Sequence, residues 1–187
     1  MPVSSFLQRK SAVLSKLDKS SAGKWDKKIV SLCEKINISE EFYTTSSCSG
    51  RIVLMLDQER KSPNLFLRVW HESISLSELK KFLKENSEKG LIKFKLEPPI
   101  LHIACKDLEV TSRLLEKANH NGFKRSGILS AGRNIVLELN STERLEFPIL
   151  NKGKILVDEP FLELVVKQAN QKLKKGWERI EKLRKVI

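Results

Sequence analysis

Cysteine is scarce in this chain of 187 residues, and its three cysteines, Cys33, Cys48 and Cys105, lie far apart. An odd number of cysteines at wide spacing argues against a disulfide framework and against a zinc site, and is typical of the reducing cytoplasm. Long apolar runs are absent, and the first ten residues hold no apolar segment of a secretory signal. We therefore expect a cytoplasmic protein with no resident metal and no membrane partner.

Glycine-rich phosphate-binding motifs are also absent. The sequence contains no GxGxxG run after a predicted strand and no P-loop. The strict alternation of strands and helices that a doubly wound parallel sheet requires is missing as well. We therefore predict an α+β fold with a mainly antiparallel sheet, flanked by N- and C-terminal helices, and not a doubly wound one.

Positive charge is concentrated at the two ends of the chain. Residues 1–28 carry seven Lys or Arg against two Asp, and residues 166–187 carry eight against two Glu. The net charge is +12, so the 137 residues between these ends are nearly neutral. A basic surface built from both ends would attract a polyanion, and RNA is the natural candidate. The alternative is a pair of lysine-rich solvated helix faces.

Hydrophobic periodicity and capping signals predict helices on both sides of a block of strands. The predicted helices are 4–17, 25–37, 75–86, 107–120 and a last long helix from 158. The predicted strands are 51–57, 64–71, 91–97, 100–106, 133–139, 145–150 and 155–157. Ser75 and Glu78 have the spacing of a capping box, and Asp107 is placed to cap the following helix. The apolar stripe expected on the last helix is Phe161, Leu164, Val165, Ala169, Leu173, Trp177 and Ile180.

A helix, a polar loop, a Gly-Arg pair and a buried strand occur twice, at Gly50-Arg51 and again about 82 residues later at Gly132-Arg133. This echo predicts a pseudo-two-fold duplication of a helix–loop–strand unit within a single domain, 1–187. The expected parts are basic N-terminal helices (1–37), a first half (38–90), a second half (91–157) and a basic C-terminal helix (158–187). A site would lie where the loops around Arg51 and Arg133 face each other.

Small polar residues crowd the stretch Thr44-Thr45-Ser46-Ser47-Cys48-Ser49-Gly50-Arg51, just before a buried strand. Hydroxyls donate and accept hydrogen bonds, Gly50 lets the backbone approach a ligand, and Arg51 offers a fixed fork of donors. A loop of this composition on a rigid strand suits an anionic or polar ligand. The alternative is a Ser/Gly-rich turn that enters a hairpin.

Four stretches in one order resemble the tRNA wybutosine-synthesising protein 3 family. Ser46–Arg51 reads SSCSGR, like the family signature, and Leu17–Asp26 follows its upstream LDxSxxGxxD pattern. Pro99–Cys105 resembles its P-I-L-H-V-x-C strand, and Gly122–Ile128 its G-F-R-x-S-G-I segment. The matches extend over nearly the whole chain. The departures are modest: a tryptophan at position 25 replaces a small or aliphatic residue, and a lysine at position 124 replaces an arginine.

The resemblance implies an S-adenosyl-L-methionine-dependent methyltransferase that modifies the N4 ring nitrogen of a tricyclic guanosine at position 37 of phenylalanine tRNA. The carboxylate of the methyl donor would need the paired N–H groups of an arginine or backbone N–H groups as hydrogen-bond donors. The cofactor-binding residues expected are Ser46, Ser47, Cys48, Ser49, Gly50 and Arg51. A base of the anticodon loop is single-stranded, so it can be splayed out and stacked on an aromatic ring. The substrate-binding residues expected are Trp70, Phe123, Lys124, Arg125, Ser126 and Arg133.

Methylation of a ring nitrogen requires a proton to leave, and His102 or Asp26 is expected to accept it. Each candidate has an alternative interpretation. His102 lies among apolar neighbours and could be a satisfied core histidine, Asp26 could cap a helix, and Trp70 could simply pack. Two other functions stay open: a non-catalytic RNA-binding module that grips phosphates with the basic ends, and a hydrolase that uses Cys48 as nucleophile.

Overall fold

The computed structural model describes residues 5–16, 26–58, 65–86, 90–132 and 135–187. Most of the upstream LDxSxxGxxD match and Arg133 lie outside these residues. The helices are α1 Ser5–Leu14, α2 Val30–Ile38, α3 Leu76–Glu85, α4 Leu108–His120 and α5 Glu159–Val186. The strands are β1 Phe42–Cys48, β2 Arg51–Leu56, β3 Phe66–Trp70, β4 Ile92–Glu97, β5 Ile100–Cys105, β6 Gly127–Ala131, β7 Ile135–Asn140, β8 Leu145–Asn151 and β9 Lys154–Ile155. In this described part of the chain, no helix is long and apolar enough to cross a membrane.

The chain divides into two compact units, each made from separate stretches of sequence. Unit 1 comprises Met1–Ser49, Pro99–Thr142 and Trp177–Ile187, and unit 2 comprises Gly50–Pro98 and Glu143–Gly176. Each unit therefore draws residues from both of the halves expected from the sequence echo. The organisation as one domain stays a prediction.

Unit 1 contains a four-stranded sheet in the order β1-β5-β7-β6, with every pair of neighbours antiparallel. Alternate residues of these strands form a core with α2, α4 and the last residues of α5, and this core includes Leu101, Leu137 and Ile180. On the opposite face, Phe6 of α1 packs near Tyr43, with ring centroids 5.3 Å apart. The rest of that second face carries the polar residues described below.

Unit 2 contains a five-stranded sheet in the order β3-β2-β4-β8-β9, also antiparallel throughout. Isoleucine, leucine and phenylalanine side chains of β2 and β4 are buried, and in α3 Leu79 and Leu83 are fully buried. The predicted capping box at the start of α3 is confirmed: the Ser75 hydroxyl accepts from the Glu78 N–H, and the Glu78 carboxylate accepts from the Ser75 N–H.

The α+β class, the antiparallel sheets and the flanking helices are confirmed, and so is the Asp107 cap, which accepts from the Val110 N–H at 2.8 Å. The expected stripe of α5 is partly wrong. Phe161 and Leu164 are exposed, whereas Leu162 and Val166 are buried. The buried positions begin one residue later, at Leu162, and the partly exposed Phe161 ring lies edge-on against Phe147 of the sheet, with centroids 5.6 Å apart.

Two predictions of local structure are wrong. The polar stretch expected to be a loop is strand β1 up to Cys48, because its backbone pairs with β5 on both sides of a register shift between Thr44 and Ser46. Strand β6 was not expected at all, and it pairs with β7. The order of helix, strand, Gly-Arg and strand recurs as the echo indicates, but the pairing differs: β6 and β7 are neighbours, whereas β1 and β2 belong to different sheets.

Candidate active site

Three neighbouring strands of unit 1 place polar residues directly opposite one another. In the register of the sheet, Ser46 on β1 lies opposite His102 on β5, and His102 lies opposite Glu138 on β7. The adjacent positions Leu101, Ile103 and Leu137 point into the core. Because side chains alternate along a strand, Ser46, His102 and Glu138 share the other face of the sheet.

Hydrogen bonds join these side chains into one line, which we call the hydroxyl row (Ser46, His102 and Glu138). Ser46 Oγ lies 2.8 Å from His102 Nδ1, and His102 Nε2 lies 3.0 Å from Glu138 Oε2. The side chains of His102 and Glu138 are each 29% exposed, and Ser46 is exposed. His102 is therefore not a buried core histidine, and the row is accessible from its serine end.

A bulge in β1 and a buried amide surround the hydroxyl row. The register of β1 shifts between Thr44 and Ser46, and the Thr45 hydroxyl donates to the backbone carbonyl of His102 at 3.2 Å. Asn140, two residues beyond Glu138, donates from Nδ2 to the Glu138 carboxylate at 3.5 Å. Within the described residues, Asn140 Oδ1 is buried and has no hydrogen-bond partner. A buried acceptor of this kind can receive a donor from a ligand or water.

The turn that follows β1 is held by Asp26. One carboxylate oxygen of Asp26 accepts from the Ser49 N–H at 2.8 Å and from the Ser49 hydroxyl at 3.1 Å. Ser49 is fully buried, and Gly50 takes a φ of +93°, a conformation that favours glycine. Asp26 therefore holds the backbone of the signature turn through Ser49, and its role as a proton acceptor stays a prediction.

Arg51 begins strand β2 in unit 2 and is partly exposed. Its Nε donates to Glu97 Oε2 at 2.6 Å, and its guanidinium lies 5.1 Å from the centre of the Phe66 ring. Within the described part of the chain, Nε is the one atom of the Arg51 guanidinium that makes a hydrogen bond. Both terminal nitrogens of Arg51 therefore have N–H donors available to a ligand. That donor set fits the carboxylate of an amino-acid-like ligand.

The structure places the expected substrate-binding residues in different environments. Phe123 is fully buried in the core of unit 1, and its ring is therefore not presented to a base. In unit 2, Trp70 is 7% exposed and packs edge-on against Phe82, as its alternative interpretation expected. Lys124 and Arg125 are exposed. Arg133 lies outside the described residues.

Ser126 and two of the cysteines have structural roles. The Ser126 hydroxyl donates to the Phe123 carbonyl at 2.5 Å and accepts from the Asn140 N–H at 3.0 Å, which ties the start of β6 to β7. Cys33 is fully buried, as expected, and burial raises the pKa of its thiol to about 11. Burial also raises the pKa of Cys105. A thiol protonated in this way is a poor nucleophile.

Sequence reasoning missed Glu138 and Asn140. Both occupy polar positions in the alternating strand Ile135–Asn140, and alternation alone puts them on one face. The residues they meet are determined by the pairing of β7 with β5, and that pairing joins stretches about 36 residues apart, without a short turn whose length would fix the register.

Comparison with known proteins decides between the open functions. A sequence profile described as Methyltransferase TYW3 matches residues 8–187. The chain belongs to this family. A relative from Archaeoglobus fulgidus, named tRNA(Phe) 7-((3-amino-3-carboxypropyl)-4-demethylwyosine(37)-N(4))-methyltransferase, is 40% identical over 91% of this chain and 87% of its own length. The human tRNA wybutosine-synthesizing protein 3 homolog is 35% identical over 95% of this chain and 70% of its own.

Solved structures of the same fold agree with this membership of the Methyltransferase TYW3 family. The PH1069 protein from Pyrococcus horikoshii superposes with a TM-score of 0.88 at 34% sequence identity, over 97% of this chain and 95% of that one. A protein from Aeropyrum pernix gives a TM-score of 0.76 at 27% identity, over 86% of this chain and 96% of that one. The resemblance inferred from the four motifs is thereby confirmed.

Proposed function

We propose that the protein transfers a methyl group from S-adenosyl-L-methionine to the N4 ring nitrogen of a tricyclic guanosine at position 37 of phenylalanine tRNA. Membership of the Methyltransferase TYW3 family supports the reaction class, and the names of several relatives specify this nitrogen and this tRNA. The observation that carries the proposal to particular residues is the 2.8 Å contact between His102 and Ser46, because it joins two of the matched motifs.

The cofactor supplies an electrophilic methyl group on a sulfonium centre when it is bound. The contiguous signature Ser46–Arg51 is the stretch that we assign to it. Arg51 would hold the methionine carboxylate with its terminal nitrogens, and Glu97 would keep the guanidinium in place through Nε. Asp26 would hold the signature turn in its present shape through Ser49, so that the hydroxyls and backbone of the turn keep their positions.

His102 is our choice for the group that removes the proton from the acceptor nitrogen. The imidazole is partly exposed, is fixed on a strand and has a hydroxyl at hydrogen-bond distance on its open side. General-base assistance of this kind contributes typically about 10²- to 10⁴-fold to a rate. The Asp26 carboxylate accepts two hydrogen bonds from Ser49 that hold the signature turn, so we place Asp26 second.

The basic residues provide a surface for tRNA. In unit 1, exposed positive side chains come from α4, from the turn before β6 and from the end of α5: Lys117, Lys124, Arg125, Lys182 and Lys185. Neutralising RNA phosphates releases counterions, so binding is expected to weaken steeply as salt rises. These residues would position the anticodon stem and loop, while the sheet carries the chemistry.

The direct test is methyl transfer in vitro. Purified protein, labelled S-adenosyl-L-methionine and phenylalanine tRNA from a strain that lacks this gene are mixed, and the tRNA is digested to nucleosides. We expect label in one tricyclic guanosine derivative. Tight tRNA binding with no label in any nucleoside would contradict the proposal and favour a non-catalytic RNA-binding module. Binding of the donor in the absence of RNA, measured by calorimetry, is the second discriminating observation.

A further inference from the structure

Glu138 has no role in the reaction as described so far, yet it makes the inner contact of the hydroxyl row. Its carboxylate approaches Nε2 of His102 on the side of the ring opposite Ser46. An ionised carboxylate only accepts hydrogen bonds, so Nε2 must carry a hydrogen. The hydrogen position follows from this network of partners.

The consequence concerns the other ring nitrogen. With Nε2 protonated in both charge states of the imidazole, Nδ1 is the atom that gains or loses a proton. Nδ1 faces the Ser46 hydroxyl at 2.8 Å, and Ser46 is the exposed end of the row. Proton exchange is thereby confined to the side of His102 that faces solvent and ligand.

We propose that Glu138 is a positioning residue that holds His102 as the Nε2–H tautomer, so that Ser46 relays the proton of the acceptor nitrogen to His102 Nδ1. This inference rests on the proposed methyl transfer. The lone pair of the acceptor nitrogen forms the new bond to carbon, and the carbon–sulfur bond breaks with its electrons on sulfur. The nitrogen's proton passes to Ser46 Oγ as the Ser46 proton passes to Nδ1, and the Glu138 carboxylate balances the imidazolium charge.

The surroundings of Glu138 support a fixed carboxylate. Asn140 Nδ2 donates to its second oxygen, Oε1, at 3.5 Å, while Oε2 contacts His102. On β6 the residue opposite Glu138 is Gly127, which has no side chain to compete for the carboxylate. Within unit 1, the partners of Glu138 among the described residues are His102 and Asn140, so neither oxygen is neutralised by a Lys or Arg there.

The first measurement is the tautomer of His102 by nitrogen-15 NMR, assigned with the His102→Gln variant. We expect the Nε2–H pattern in the wild type and a mixture of tautomers in Glu138→Ala. Glu138→Gln keeps an acceptor and should lie between the two. An unchanged tautomer in Glu138→Ala would overturn the inference, and this readout does not depend on methyl transfer.

The second measurement is the kinetics of the same variants. In Glu138→Ala we expect kcat to fall by about 10- to 100-fold, with the KM values for tRNA and methyl donor little changed, since partners that orient a functional histidine have effects of this size. Ser46→Ala should lower kcat without changing the tautomer pattern. A changed tautomer with unchanged kcat would overturn the relay. Absence of methyl transfer by the wild type would instead overturn the proposed function, while the tautomer comparison would still report on Glu138.

Discussion

Each unit carries a row of polar side chains across neighbouring strands, and the two rows differ in how their charges are matched. In unit 2, Arg51, Glu97 and Glu146 belong to a row of ion pairs that also includes Asp57, Lys93 and Lys95. Lys93 lies 2.8 Å from Asp57, and Lys95 lies 3.3 Å from Glu146. In the described residues, each charged side chain of this row is paired with an opposite charge in the same row, and the terminal nitrogens of Arg51 remain available.

The hydroxyl row of unit 1 has the same cross-strand geometry but a different chemistry. It contains one carboxylate, one imidazole and one hydroxyl, and its outer end is an exposed Ser46 Oγ that can donate and accept. The imidazole has an acceptor nitrogen that can take up a proton passed on by the hydroxyl, whereas the side chains of the charged row are paired with opposite charges. The two rows therefore differ in the chemistry of their open ends, which is a hydroxyl beside an imidazole in unit 1 and the guanidinium of Arg51 in unit 2.

The largest expected difference between the two rows comes from replacing a central residue of each, His102 in the hydroxyl row and Lys93 in the charged row. His102→Gln should lower methyl transfer by about 10²- to 10⁴-fold, because the proposed proton acceptor is lost. Lys93→Met, in the charged row, should change the same rate less than about twofold, because an ion pair between partly exposed groups has little influence on chemistry elsewhere. Initial rates with labelled donor measure both. A comparable loss in Lys93→Met would remove the distinction between the rows.

A second comparison sets a buried phenylalanine of unit 1 against an exposed phenylalanine of unit 2. Phe123→Ala in unit 1 should cost about 3–5 kcal/mol of unfolding free energy, because a fully buried ring leaves a cavity. Phe66→Ala in unit 2 should cost about 1 kcal/mol or less, since Phe66 is 47% exposed and its ring lies against the Arg51 guanidinium. Urea unfolding followed by circular dichroism measures both values. A nearly neutral Phe123→Ala would contradict the packing role.

The sequence was informative where the signal is local. The Ser75–Glu78 capping box and the Asp107 cap depend on residues three apart, and both are present as predicted. The signature stretch was recognised from its small polar residues, and both it and the strand that contains His102 match family motifs. The structure then showed why they belong together, since β1 and β5 are adjacent.

The errors arose where strand pairing decides the outcome. Serines and glycines favour turns when taken alone, but in β1 the backbone groups are satisfied by β5, and the residues Thr44–Cys48 therefore extend. A phenylalanine can either stack on a base or pack in a core, and the sequence does not separate these roles. Phe123 is fully buried, which assigns it to the core. Glu138 could not be assigned because no local signal specifies the register between β5 and β7.

A smaller effect is expected on the unfolding free energy when an ion pair of the charged row is removed, and this effect should depend on salt. Glu146→Gln removes a carboxylate whose side chain is 49% exposed and whose partners are Lys93 and Lys95. We expect a loss of about 0–1 kcal/mol in unfolding free energy at low salt, and a smaller loss at about 1 M salt, where exposed charges are screened. Methyl transfer should be unaffected. A loss well above this range, or one that persists at high salt, would show that the charged row contributes more than surface pairing.

The smallest expected effect is a pH-dependent one at the start of α3. The N–H and hydroxyl of Ser75 hold the pKa of the Glu78 carboxyl below its ordinary value of 4.5. A lowered pKa in the folded state contributes stability that is fully present above about pH 4.5 and is lost as the pH falls through the folded-state pKa. Glu78→Gln should remove this acid-sensitive part of the urea midpoint between about pH 6 and pH 2. Ser75→Ala keeps the backbone N–H, the larger cause of the shift, and should therefore retain most of the acid-sensitive part. If Glu78→Gln retained it fully, another carboxyl would be responsible.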